Sequence, residues 1–113
     1  MKIPKRINIL GHPILVYKSN KPMELDDEEK ATGLAHLLTN KIGICCRVDG
    51  DYIAESLQAE TFLYEIFHHI NEKMGLGMEE GQVRGMALGA LQVVRDNKLN
   101  FLDTRDDSGK GKK

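Results

Sequence analysis

The chain has 113 residues, enough for one domain with a single core and too few for a second one or a separate catalytic unit. Sixteen Lys and Arg stand against 17 Asp and Glu, a net charge of −1, so no broad field draws nucleic acid or an anionic membrane. No apolar run approaches the ~20 residues that span a bilayer.

The opening Met1-Lys2-Ile3-Pro4-Lys5-Arg6 is basic but leads into a short apolar stretch broken by Gly11, His12 and Pro13. It does not read as a leader, and a cytoplasmic chain is expected. Ile7, Ile9, Ile14 and Val16 alternate on either side of that break, which predicts two short strands in an opening hairpin. Residues 19–30 carry Asn20, Pro22, Asp26, Asp27, Glu28 and Glu29 with little to bury, the composition of a solvated loop. Leu34, Leu37 and Leu38, a pause at Thr39-Asn40-Lys41, and then Ile42, Ile44, Cys46 and Val48 at period two predict a second hairpin, with turn chemistry at Asp49-Gly50-Asp51. Cys45 and Cys46 adjoin and point to opposite faces of a strand, so a mutual disulfide is not expected and one of them should face the core.

The C-terminal half reads as helix. Ala59, Phe62, Leu63, Ile66, Phe67, Ile70 and Met74 recur at three- and four-residue steps, from about Ser56 to just before Gly75. Glu79-Glu80 suits a helix N-terminus, and Val83, Met86, Ala87, Ala90, Leu91 and Val94 carry a second helix to about Asn97. Gly81, Gly85 and Gly89 form a ridge of small residues on it, suited to close approach by another element and a cleft. Residues 103–113 are Asp, Lys, Gly and Ser with a lone Thr and Arg, the composition of a disordered tail. The expected fold is α+β: two N-terminal β-hairpins forming a small antiparallel sheet packed on two C-terminal helices, in one domain over residues 1–102.

On the first helix the chain reads Phe62-Leu63-Tyr64-Glu65-Ile66-Phe67-His68-His69, and this resembles the Leu-His-Glu-x-x-His helix of minimal zincin metallopeptidase domains found in small bacterial and phage-borne proteins. More remotely it is similar to ImmA/IrrE-type and SprT-like peptidases. The likeness extends to the order of two hairpins, a motif helix ending in Gly-Leu, a Glu-rich start to the next helix, and the run from Gln82 to Asn97. In such a motif, residues four apart sit about 40° apart around the helix, so two histidines converge on one Zn²⁺ while the intervening glutamate holds the attacking water. Position by position the resemblance implies Glu65 as catalytic base, His68 as a metal ligand, and a carboxylate ligand at Glu80, with Glu79 as the alternative. Tyr64 stands where the family has its first histidine, and a neutral phenol is a poor Zn²⁺ ligand. His69 cannot substitute, because adjacent helical positions differ by about 100°.

Two functions follow from the resemblance. One is a degenerate zincin-like domain without catalysis, holding a protein-binding or regulatory role and no metal. The other is a metal-dependent hydrolase of peptidase type, with Glu65 as general base and His68 plus a carboxylate holding one divalent ion, Zn²⁺ before Mn²⁺ or Fe²⁺. Glu65, His68 and Glu72 also offer a different Glu-x-x-His grouping. Taken without the resemblance, Glu65 and His69 read as an exposed i, i+4 pair on a solvated face, worth roughly 0.2–0.5 kcal/mol. His12 reads as a turn residue, His36 as an outward-facing strand residue. Neither nucleic acid nor membrane is an expected partner, and nothing in the sequence fixes an oligomeric state.

Overall fold

The structure is a computed structural model that describes residues 3–24 and 30–97. The acidic run from Asp26 to Glu29 and the expected tail lie outside those residues. The chain folds as α+β, and the helices follow the strands as the sequence implied.

Strands β1 (Arg6–Ile9) and β2 (His12–Ser19) form the opening hairpin. Its two-residue turn has positive φ at both Leu10 and Gly11, the mirror-image turn whose twist matches that of the flanking strands. Pro13 lacks an N–H to give, and β2 begins to pair with its other neighbour only at Leu15. The segment expected to be loop contains two short strands, β3 (Met23–Glu24) and β4 (Lys30–Ala31), paired with each other. β5 (Gly33–His36) and β6 (Lys41–Cys45) make the second hairpin. β7 (Arg47–Val48) and β8 (Asp51–Tyr52) then close around Asp49-Gly50, both at positive φ.

The main sheet runs in the order β1-β2-β6-β5. Each hairpin is antiparallel, as expected, but the two are joined through a parallel β2–β6 pair running from Leu15–Lys41 to Ser19–Cys45, so the sheet is mixed, not antiparallel throughout. The physical reason lies in β6. Its Ile42, Gly43, Ile44 and Cys45 are all buried, a nearly continuous run suited to a central strand covered on both faces. Tyr17 and Met23 close over Gly43 on the outer face, leaving a Cβ there no room. β5 is thereby left at the edge.

Helix α1 (Glu55–Met74) lies on the inner face of this sheet, and α2 (Glu80–Asn97) packs on α1. Ile9, Ile14, Val16, Ile42, Ile44 and Phe62 form the core, with Ile3, Ile7, Ile66 and Ile70 around it. Each fully buried isoleucine contributes ~1.5–3 kcal/mol. Cys45 and Cys46 are both buried and free, so the core takes up more than the one that was expected. Among the described residues no helix is long and apolar enough to cross a membrane.

The break between the helices fixes where α2 starts. Gly75 takes the left-handed conformation at φ 63°, its N–H donates to the Glu72 carbonyl, and the Leu76 N–H donates to that of Asn71, a Schellman ending. The Asn71 side chain then bonds both the N–H and the carbonyl of Met78. A Cβ at Gly75 would meet nothing within 4 Å, so Gly75→Ala tests backbone strain alone. It is expected to lower stability by about 1–2 kcal/mol in urea melts, and an unchanged midpoint would remove this ending as the determinant of the turn.

Candidate functional site

The cleft lies between edge strand β5, the β7–β8 hairpin and the two helices. One cavity of about 420 Å³ has Val48, Ile53, Leu57, Ala87 and Leu88 on its apolar side and Glu60, Thr61, Tyr64, Glu65 and Arg84 on its polar side. A second, of about 320 Å³, adjoins it through Gly33, Tyr64, Glu65 and Arg84 and continues to His68 and Glu80. Glu65, His68 and Glu80, the three residues singled out from the sequence, therefore line one cleft. Glu79 and Glu72 line neither cavity. The glycine ridge is elsewhere: a Cβ at Gly81, Gly85 or Gly89 would meet nothing within 4 Å, so the expected close approach does not occur on that face.

Glu65 departs most from the solvated reading. It is only 4% exposed, and His69, its supposed surface partner, is 0% exposed. The stripe of α1 turned to the sheet runs Gln58, Phe62, Glu65, His69, at steps of four, three and four, so the helix buries polar residues in positions that apolar periodicity assigned to Leu63. Gly33 makes room for Glu65 under β5: a Cβ there would fall 2.8 Å from Glu65 Oε2 and 2.3 Å from Thr61 Cγ2. Burial, and then the charge of Glu80, push the Glu65 carboxyl up to about 7 against a smaller opposing effect of Arg84. Near neutrality it can thus hold or release a proton.

His68 and Tyr64 point to α2. Capping sets this up: the Gln82 side chain accepts from the Glu79 N–H and Val83 N–H donates to the Glu79 carbonyl, which starts the helix with Glu80 opposite α1. His68 Nε2 lies 3.9 Å from Glu80 Oε1. Burial lowers the His68 pKa more than Glu80 raises it, so the ring is neutral near pH ~7 and the contact is not an ion pair there. The Tyr64 ring meets His68 edge-on at 4.5 Å, and the Arg84 guanidinium sits 4.5 Å from the centre of the Tyr64 ring. Burial and then the Glu80 charge raise the Tyr64 pKa, which holds the phenol in its protonated form.

Does this set fit the metal that the resemblance implies? Two ligands of a tetrahedral Zn²⁺ stand about 3.4 Å apart, so His68 and Glu80 at 3.9 Å come near to sharing an ion. The third position fails. It is held by a phenol kept neutral, with a guanidinium over its ring, and among the described residues no group of three His, Cys, Asp or Glu is placed to hold a metal. The donor set does not fit a three-ligand centre.

The remaining candidates lie away from the cleft. His36 Nε2 is 2.6 Å from the Tyr17 hydroxyl on the outer face of the sheet, and His12 is an exposed residue at the start of β2. The sequence reading missed Arg84, whose signal was a lone cation four residues after Glu80 on the face turned to the cleft. Comparison with known proteins identifies no relative: no family model, curated protein or solved structure matches the chain.

Proposed function

We propose that the chain is a zincin-like domain without a catalytic metal, whose cleft binds a segment of a protein partner. The observation that carries this reading is the Tyr64–Arg84 pair. A protonated phenol stands at the position of the family's first ligand, and the Arg84 guanidinium covers its ring. The cleft supports the second half: cavities of about 420 and 320 Å³, joined along an edge strand with one apolar side, are within the size range that holds organic ligands.

The competing reading, a metal-dependent hydrolase using Glu65 as general base with His68 and Glu80 as ligands, draws support from a cleft carboxyl poised at about 7. Metal content separates the two. Untagged protein, dialysed against a weak chelator and assayed by elemental mass spectrometry, is expected to retain no stoichiometric ion. Near-stoichiometric Zn²⁺, Mn²⁺ or Fe²⁺ would sink the non-catalytic reading. Tyr64→His restores the missing donor and is expected to tighten Zn²⁺ binding by at least ~10-fold in calorimetry, since even outer partners of metal ligands have effects of that size. Unaltered affinity in that variant would count against the zincin-like geometry itself.

A further inference from the structure

Glu65 is a buried acid for which the described protein supplies no hydrogen-bond donor. The residue as a whole is 4% exposed, but no buried side-chain oxygen among the described residues is left without a partner, so the carboxyl oxygens, to which no described group is bonded, open onto the cleft. Buried carboxylates ordinarily take N–H bonds or an opposite charge. Instead the group lines both cavities of the cleft, with Gly33 above it and no described side chain bonded to it.

The surroundings specify the sign of what would satisfy it. Among the described residues the cleft presents Glu60, Glu65 and Glu80 against one cation, Arg84, with Tyr64 and His68 uncharged near neutrality. Arg84 is turned to the ring of Tyr64, and at the Glu65 carboxyl the field of Glu80 outweighs that of Arg84. The potential at the floor is therefore negative. In the same cavity Leu57 and Leu88 remain 53% and 40% exposed, and with Ala87 they give it an apolar lining beside the carboxyl. A long alkyl stem ending in a cation matches that combination of an apolar lining and a carboxyl.

We infer that Glu65 anchors a basic side chain of the bound protein segment, the ammonium of a lysine or the guanidinium of an arginine, with the alkyl stem along Leu57, Ala87 and Leu88. This rests on the cleft being a binding site for a polypeptide and names the group it selects. The ligand supplies the donors that the fold withholds, and a charge-assisted bond to a desolvated carboxylate is stronger than a neutral one.

Backbone-amide NMR tests it with two probes at about pH 8, where Glu65 is ionised, in buffer with EDTA. The first probe is N-acetyl-lysine N-methylamide; the second is N-acetyl-norleucine N-methylamide, which keeps the stem and lacks the charge. The lysine probe is expected to give saturable shifts at Gly33, Thr61, Glu65 and Ala87. Its affinity should fall by about 10-fold or more when norleucine replaces lysine or in Glu65→Gln, the effect of one charge-assisted hydrogen bond. Equal affinity of the two probes, or unchanged lysine affinity in Glu65→Gln, would overturn the anchor and leave the cleft a peptide site. Absence of cleft shifts with either probe would overturn both. Shifts given by Zn²⁺ alone without EDTA, and not by the lysine probe, would assign the carboxyl to a metal.

Discussion

Glu65→Gln is expected to stabilise the folded protein by about 3 kcal/mol at about pH 8, an unusual direction for a substitution at a buried position. The carboxyl is raised from 4.5 to about 7 by burial and by Glu80, so the folded state resists its ionisation while the unfolded state does not. A raised carboxyl binds its proton more tightly in the folded chain. Its contribution favours folding below the unfolded value and is lost as pH rises from 4.5 through about 7. Glutamine keeps the volume and removes the charge, so the variant's advantage should be largest at about pH 8 and shrink towards zero near pH ~4.5. Urea melts across that range read the difference directly. No gain at the alkaline end would mean that a cation already pairs with Glu65, and the unsatisfied anchor would be lost as an idea. A gain in stability together with loss of the lysine probe would instead show a group held at an energetic disadvantage for the sake of binding.

The elements legible in the sequence were those governed by local rules. α1 was bounded correctly because Gly75 supplies the left-handed residue that ends it, and α2 starts at Glu80, where the acidic pair implied a helix N-terminus. Both hairpins were visible in period-two alternation. The parallel join of β2 to β6 was not, because it depends on which strand of the second hairpin reaches the centre. That choice is non-local, although the unbroken apolar run Ile42 to Cys46 in retrospect marks a strand covered on both faces. The site divides in the same way. Tyr64 and His68, singled out by the motif, face α2, and Glu80 does come to His68. Glu65 and His69 were misplaced because the core-facing stripe of α1 holds three polar residues, Gln58, Glu65 and His69. Apolar periodicity therefore centred on Leu63, which is only half-buried, and turned the helix too far. Polar residues standing at core spacing with Phe62 were the available signal.

His69 is the second of those misplaced residues, and its loss is expected to cost about 2–4 kcal/mol. Its Nε2 lies 3.0 Å from the Lys41 carbonyl oxygen, which requires the proton on Nε2 and leaves Nδ1 an acceptor. Lys73 Nζ sits 3.3 Å from Nδ1 and donates also to Asn40 Oδ1 at 2.8 Å. One turn of α1 thus clasps the β5–β6 turn at Asn40 and Lys41, and with it the edge strand that forms one wall of the cleft. His69→Phe fills the space but strands the Lys41 carbonyl and removes an acceptor from Lys73, so destabilisation by this variant isolates the hydrogen bonds from the volume. Burial lowers the His69 pKa more than the Lys41 carbonyl raises it, with Lys73 and His68 pushing the same way as burial. The unfolded chain then takes up the proton first. The stability that neutral His69 confers is complete above the unfolded value of 6.5 and declines as pH falls below it towards the depressed folded value. Glu65 acts in the opposite sense over an overlapping range, so the profile is best taken in the Glu65→Gln background. There the acid limb should be shallower in His69→Phe, with the remaining slope set by His68, whose pKa is lowered for the same reason. An acid limb identical with and without His69 would mean that the ring is not held neutral against the Lys41 carbonyl, and the clasp on the edge strand would have to be sought elsewhere.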